Sequence, residues 1–254
     1  MAMIRLIDLT KRYGQFLAVD HLSLEVEAGE IFGFLGPNGA GKTTTVKMMA
    51  GLLKPTQGSV ILGGHNLEKE PIAAKSLIGF IPDRPFLYEK LTAREYLRFM
   101  VSLYGMDGRQ ESPRMEELLE LFEIQSWGDE LVEGFSHGMR QRLVMAGALI
   151  HRPKILIVDE PMVGLDPKGV RLAKGIFREL AQQGASLFIC THGLEIAEEL
   201  CHRVAILQEG KILIQGSMRE LRQISQTEGG RLEEIFLKLT GAEDLQVAID
   251  ALRR

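Results

Sequence analysis

Two cysteines in 254 residues, Cys190 and Cys201, leave no disulfide framework to hold this chain. Their spacings to His192 and His202 match no usual structural zinc pattern, and both read as ordinary reduced thiols. No apolar run approaches the ~20 residues that cross a bilayer. Met1-Ala2-Met3-Ile4-Arg5 does not open a signal peptide, so the expectation is a chain made and kept in the cytosol, reaching a membrane only through a partner. Excess basic charge is missing too. With 30 Lys and Arg against 34 Asp and Glu, a net charge of −4 argues against a chain held mainly by nucleic-acid phosphates. Internal repeats and low-complexity tracts are absent. What remains is 45% hydrophobic and 25% charged, enough for one large domain or a domain with a subdomain.

Hydrophobic periodicity divides the chain. Ile4 to Ile7 and Leu22 to Val26 alternate like half-buried strands around a turn-like Lys11-Arg12-Tyr13-Gly14, and residues 59–62 read as another strand. Residues 31–35 read as a buried strand, and residues 154–158 and 185–191 are continuous apolar runs typical of parallel strands covered on both faces, with residues 167–182 as the crossover helix. Ile78 to Pro82 reads as a short buried strand leaving the nucleotide core. Between about 84 and 150 the pattern is helical: a capping box at Thr92-Ala93-Arg94-Glu95, a proline start at Ser112-Pro113, and a third helix from Gly138 to Ile150. Residues 204–207 and 212–214 form a predicted hairpin. Leu232, Ile235, Phe236 and Leu239 mark an amphipathic helix that reads first as core packing.

The residues Gly36-Pro37-Asn38-Gly39-Ala40-Gly41-Lys42-Thr43 match the phosphate-binding pattern G-x-x-x-x-G-K-[ST] in full, between a predicted strand and a predicted helix. A glycine-rich turn lets successive backbone N–H groups converge on phosphate oxygens, and the helix N-terminus adds its partial positive charge. Lys42 then reaches the β- and γ-phosphates, the Thr43 hydroxyl is a Mg²⁺ ligand, and Thr44 follows in the helix as a further binding position. The bland alternative, a turn that binds nothing, is disfavoured by the strand and helix around it. About 115 residues on, Ile155-Leu156-Ile157-Val158-Asp159-Glu160 ends an apolar strand in two acids. That arrangement suits Asp159 to the Mg²⁺ shell and Glu160 to polarising a water, although strands ending in acids are common on their own.

With these motifs the chain resembles the ATP-binding subunits of ABC transporters over residues 1 to about 220. Phe135-Ser136-His137-Gly138-Met139-Arg140-Gln141-Arg142 is similar to the family signature, Gly164-Leu165-Asp166-Pro167 to its D-loop, and Thr191-His192 to its switch histidine. The resemblance implies a P-loop, RecA-like α/β fold: a mostly parallel sheet core, an N-terminal antiparallel β part and an inserted helical subdomain. An ATPase domain would span 1–220 and a C-terminal helical tail 221–254. It implies ATP and Mg²⁺ as cofactors, Tyr13 stacking on adenine, Glu160 and His192 as catalytic groups, and Asp166 beside the nucleotide. Ser136 and Gly138 would serve the nucleotide of a second ATPase subunit, identical or paralogous, with a separate transmembrane permease as the other partner. Residues 84–88 lie where the family receives that permease, and 231–241 look like tails of ABC-2-type exporters.

Two departures stand out. Asp83 occupies the position of the family's Q-loop glutamine, where it could still reach Mg²⁺ through water or instead repel phosphate. In the signature, His137 replaces glycine and Met139 replaces glutamine. The expected function is a peripheral ATPase driving export; the rivals are a soluble ABC-type ATPase working on a cytosolic scaffold, ribosome or DNA, and a non-hydrolysing nucleotide sensor.

Overall fold

The computed structural model describes residues 1–107, 111–225 and 230–240. It opens with a long hairpin, β1 (Ala2–Tyr13) and β2 (Phe16–Glu27), followed by β3 (Ile31–Leu35) and α1 (Lys42–Met49). A second small β part, β4 (Gln57–Leu62) and β5 (His65–Asn66), leads through α2 (Pro71–Lys75) to β6 (Ile78–Ile81). Three helices come next: α3 (Ala93–Leu103), α4 (Ser112–Leu121) and α5 (His137–Leu149). The chain then alternates through β7 (Ile155–Asp159), α6 (Pro167–Gln182), β8 (Ser186–Cys190), α7 (Leu194–Leu200) and β9 (Arg203–Gln208). It closes with β10 (Lys211–Ser217), α8 (Met218–Ile224) and α9 (Leu232–Thr240).

The strands form two sheets. One has four strands in the order β2-β1-β4-β5; the other has six in the order β10-β9-β3-β8-β7-β6. In the larger sheet every pair except β9–β10 is parallel. Strands β3, β7 and β8 are buried at all five positions, as their unbroken apolar runs predict. Their side chains alternate between two cores. Phe32, Phe34, Ile157 and Phe188 face the antiparallel sheet and α1, whereas Ile31, Leu35, Leu156, Val158 and Leu187 face the helical layer. Phe188 packs between Phe32 and Phe34, with ring centroids 5.9 and 4.9 Å away.

The helical insertion is anchored mainly by packing. The Thr92–Glu95 capping box is present in both directions and stabilises α3 by about 1 kcal/mol. Burial of Tyr96, Leu97 and Val101 contributes about 1.5–3 kcal/mol for each large side chain, so the cap decides where α3 starts and the core decides that it stays. Arg94 ties α3 to Glu116 of α4 and to Asp129, holding the Glu116 carboxyl below its usual range. At the root of the insertion, Tyr104 stacks on His151 at 3.6 Å, and both reach the Ile78 carbonyl. Burial pushes the His151 imidazole below its ordinary pKa.

Several sequence expectations change. Lys11, Arg12 and Tyr13 are strand, not turn, because β1 keeps its pairing with β2 up to Tyr13 opposite Phe16. Strand β6 does not leave the core; it is the sheet's edge, paired in parallel with β7. Helix α1 starts at Lys42, inside the predicted phosphate loop, because Gly41 supplies the turn before it, and α5 starts at His137 behind the Ser136 cap, one residue before the predicted Gly138. Leu221 of α8 and Leu232 and Ile235 of α9 are buried in the same core as the helical layer. Residues 226–229 and 241–254 of the expected tail lie outside the described residues.

Candidate functional site

Strands β3, β8 and β7 lie side by side, and their C-terminal ends bring three sequence motifs to one edge of the sheet. Residues 36–43 turn from β3 into α1. A β-carbon on Gly41, whose φ is +103°, would collide with the Ala18 carbonyl, so β2 presses on the loop and only glycine fits there. Pro37, Asn38, Gly39 and Thr43 are exposed, Thr44 is half-buried, and Gly36 and Ala40 are buried. Lys42 is buried, and its Nζ donates to the carbonyls of Gly36 at 2.6 Å and Pro37 at 3.0 Å. Its ammonium thus lies folded into the concavity of its own loop, where an anion would compete for it.

Asp159 ends β7 and is buried. Burial raises its carboxyl pKa, and the neighbouring carboxylates of Asp83 and Glu160 push it further in the same direction; the Cys190 thiol and Lys42 oppose them. Two acids crowding a buried third create a locus that favours a cation. Among the described residues no three His, Cys, Asp or Glu side chains form a cage for a metal. Glu160, next along the chain, adopts a left-handed backbone with φ +52°. Its N–H donates to the Cys190 carbonyl at 2.8 Å, tying the turn to β8. Its carboxylate accepts from the Thr191 hydroxyl at 3.0 Å, from the His192 N–H at 2.9 Å, and meets His192 Nδ1 at 2.7 Å. Glu160 is mostly covered while the His192 ring is largely exposed.

The remaining predicted residues sit elsewhere. Tyr13 is half exposed at the end of β1, with Lys11 Nζ 5.3 Å from its ring centroid and the exposed Phe16 opposite it. Ser136 caps α5, its hydroxyl accepting from the Met139 N–H at 3.3 Å. Gly138 lies against the Gly164 carbonyl, which a β-carbon would approach to 3.2 Å. Asp166 caps α6, accepting from the Gly169 N–H at 2.9 Å and from Arg142 at 3.1 Å; the cap amide first, then Arg142, hold its pKa down. Among the described residues no hydrogen bond joins Ser136 or Gly138 to the phosphate loop. Sequence reasoning missed Thr191 as a clamp on Glu160 and Phe16 as a companion of Tyr13. A hydroxyl at a strand end and an aromatic across a turn carry no motif.

The family model for the ABC transporter matches residues 19–163 of this chain. The chain belongs to the ABC transporter family. The bacitracin transport ATP-binding protein BcrA of Bacillus licheniformis is 42% identical over 212 residues, covering 83% of this chain and 68% of that protein. The Nod factor export ATP-binding protein I of Cupriavidus metallidurans is 37% identical over 220 residues, 87% of this chain and 73% of its own. Among solved structures, an ATP-binding subunit of an ABC transporter superposes with a TM-score of 0.90 at 31% identity, over 94% of this chain and 99% of that one. A dimeric, post-hydrolysis ATP-binding cassette, MJ0796 bound to ADP and Pi, gives a TM-score of 0.78 at 26% identity, over 85% and 99%. The α/β architecture and the ABC-type ATPase activity expected from the motifs follow from this membership.

Proposed function

We propose that this ABC ATPase drives export through a separate transmembrane permease, on the cytoplasmic face of a membrane, as one half of an ATP-sandwiched pair. The single observation that supports hydrolysis, rather than mere binding, is Glu160 clamped by Thr191 and His192 beside the phosphate loop. In this reading the loop amides of residues 36–43 and Lys42 take the β- and γ-phosphates, Lys42 exchanging the Gly36 and Pro37 carbonyls for phosphate oxygens. Glu160 accepts a proton from a water whose oxygen attacks the γ-phosphorus, as the bond to the β-γ bridging oxygen breaks. His192 holds Glu160 in line and donates toward the γ-phosphate, and Tyr13 stacks on the base.

Oxygen donors at Thr43, Asp159 and Asp83, without a protein-only cage, suit Mg²⁺, which keeps water and phosphate ligands. Bound there, Mg²⁺ would supply charge neutralisation to the phosphates. Ser136, Gly138 and Asp166 belong in this reading to the nucleotide of the facing subunit; the dimeric state of MJ0796 supports such pairing. Export fits the Nod factor export protein, and a transport role fits BcrA, a bacitracin transport protein, while no helix among the described residues is long and apolar enough to cross a membrane. The same reading takes residues 1–220, with the insertion at about 84–150, as the ATPase unit and 221–254 as its tail.

The test is Glu160→Gln. Turnover should fall by about 10²–10⁴-fold, the range of a general base, while ATP still drives two chains together in size-exclusion chromatography. Undiminished turnover removes Glu160 from this role.

A further inference from the structure

Gln141 is buried in α5 with 1% of its surface exposed. Both its Nε2 and its Oε1 are inaccessible to water and without a hydrogen-bond partner. Among the described residues it is the one side chain for which donor and acceptor are both orphaned in this way. A buried primary amide left unpaired is costly, and a leucine or methionine of similar volume would fill the same space at no such cost. Persistence of an amide there needs a reason that the resting packing does not supply.

Its neighbours on the helix indicate the reason. Residues 137, 138, 141 and 142 form one diamond on the surface of α5, at spacings of one and four. Three of the four corners engage the segment that follows Glu160. The His137 ring fills the space a β-carbon on Gly164 would take, Gly138 lies against the Gly164 carbonyl, and Arg142 binds Asp166. Gln141 is the fourth corner. Helical side chains lean toward the helix N-terminus, which carries its amide back toward Gly138, where no side chain blocks it. The segment that His137 and Gly138 engage, Met162 to Leu165, is held by long backbone bonds. Its backbone bonds from Val163 to Glu160 and from Leu165 to Met162 are both 3.3 Å long, and Gly164 sits at φ +81°.

We propose that Gln141 is a positioning residue of the ATPase cycle. Its amide receives a peptide group of the Met162–Leu165 segment when two ATP-loaded chains close, donor to carbonyl and acceptor to N–H. A primary amide is the side chain that matches a peptide group in both senses. The bond fixes where the segment, and through it Glu160, comes to rest. The resting state leaves the amide unpaired, so closure is favoured by the pairing it completes. This inference rests on the paired ATPase reading above.

The experiment uses Gln141→Leu and Gln141→Met in the full chain. Turnover at saturating ATP is expected to fall about three- to thirty-fold, with KM for ATP held within about two-fold. The nucleotide-free chain, relieved of the orphaned amide, is expected to melt about 2–4 °C higher. In the Glu160→Gln background with ATP, amides of residues 162–165 should exchange slowly when Gln141 is present and lose that protection in the methionine variant. Variants that melt lower with turnover falling in step would make Gln141 a packing spacer and overturn the proposal. Unchanged turnover and exchange would overturn it as well. If the unmodified chain neither pairs nor hydrolyses ATP, the ATPase reading falls first. If it does both regardless of residue 141, the inference alone falls.

Discussion

Glu160 shows how little a motif residue acts alone. Its left-handed backbone costs about 1–3 kcal/mol for a residue with a β-carbon. The Cys190 carbonyl and the Thr191 and His192 donors hold it there nonetheless, and the result is a carboxylate fixed at the strand end. Asp83 is the residue whose role the sequence left open, and its closeness to Asp159 narrows the question. Burial first, and then the carboxylates of Asp83 and Glu160, raise the Asp159 pKa, and such a grouping of acids suits a cation better than a bare phosphate. Replacing Asp83 with glutamine should therefore raise the Mg²⁺ concentration for half-maximal turnover by about ten-fold, the lower end for an outer metal partner. A magnesium titration of turnover measures it, and an unmoved midpoint would separate Asp83 from the ion. At this scale the places of Lys42 after the glycine-rich turn and of Asp159 and Glu160 at the end of β7 were legible from the sequence pattern. Thr191 was not, because its hydroxyl matters only where β8 runs beside β7.

The elements themselves were mostly legible, since their periods are strong: the buried runs of β3, β7 and β8, the capped start of α3, the proline start of α4. Boundaries failed where polar residues continue an element. Lys11 to Tyr13 extend β1 because β2 offers a partner as far as Phe16, a contact that local propensity does not contain. The phosphate loop belongs to this scale as well. Its shape is set by β2 pressing on Gly41 as much as by its own glycines. Gly41→Ala should destabilise the chain by about 1–3 kcal/mol through the strained φ alone, with nucleotide affinity reduced further because the collision with Ala18 displaces the loop. Chemical denaturation and a nucleotide-binding titration read the two effects separately. A variant of ordinary stability and affinity would show that the loop yields to the β-carbon.

For the whole molecule, one exposed aromatic patch remains to be explained. Phe86 is 92% exposed, and Tyr88, also exposed, packs edge-on against Phe99 at 5.3 Å. The patch lies on the loop after β6 and on the first helix of the insertion, and a membrane partner is its proposed occupant. Phe86→Ser with Tyr88→Ser should reduce recovery with the membrane fraction by about ten-fold or more, as loss of buried aromatic anchors does. Surface changes of this kind leave the melting midpoint within about 2 °C. Recovery equal to that of the unmodified chain would assign the contact to another surface.

The sequence by itself determined that a glycine-rich turn would join a buried strand to a helix at residues 36–43, that acids would stand at the end of a buried strand, and that helices would interrupt the sheet. Each is a local pattern with a local physical cause: backbone freedom at glycine, an unbroken apolar run, a capping side chain. Only the tertiary structure decided that β3, β8 and β7 are neighbours, so that Lys42, Glu160 and His192 share one edge. It alone seated the signature helix on the segment after Glu160, and it alone left Gln141 buried without a partner. These facts depend on which surfaces meet. Strand order and helix docking are settled by packing between residues far apart in the chain, and no local period records them.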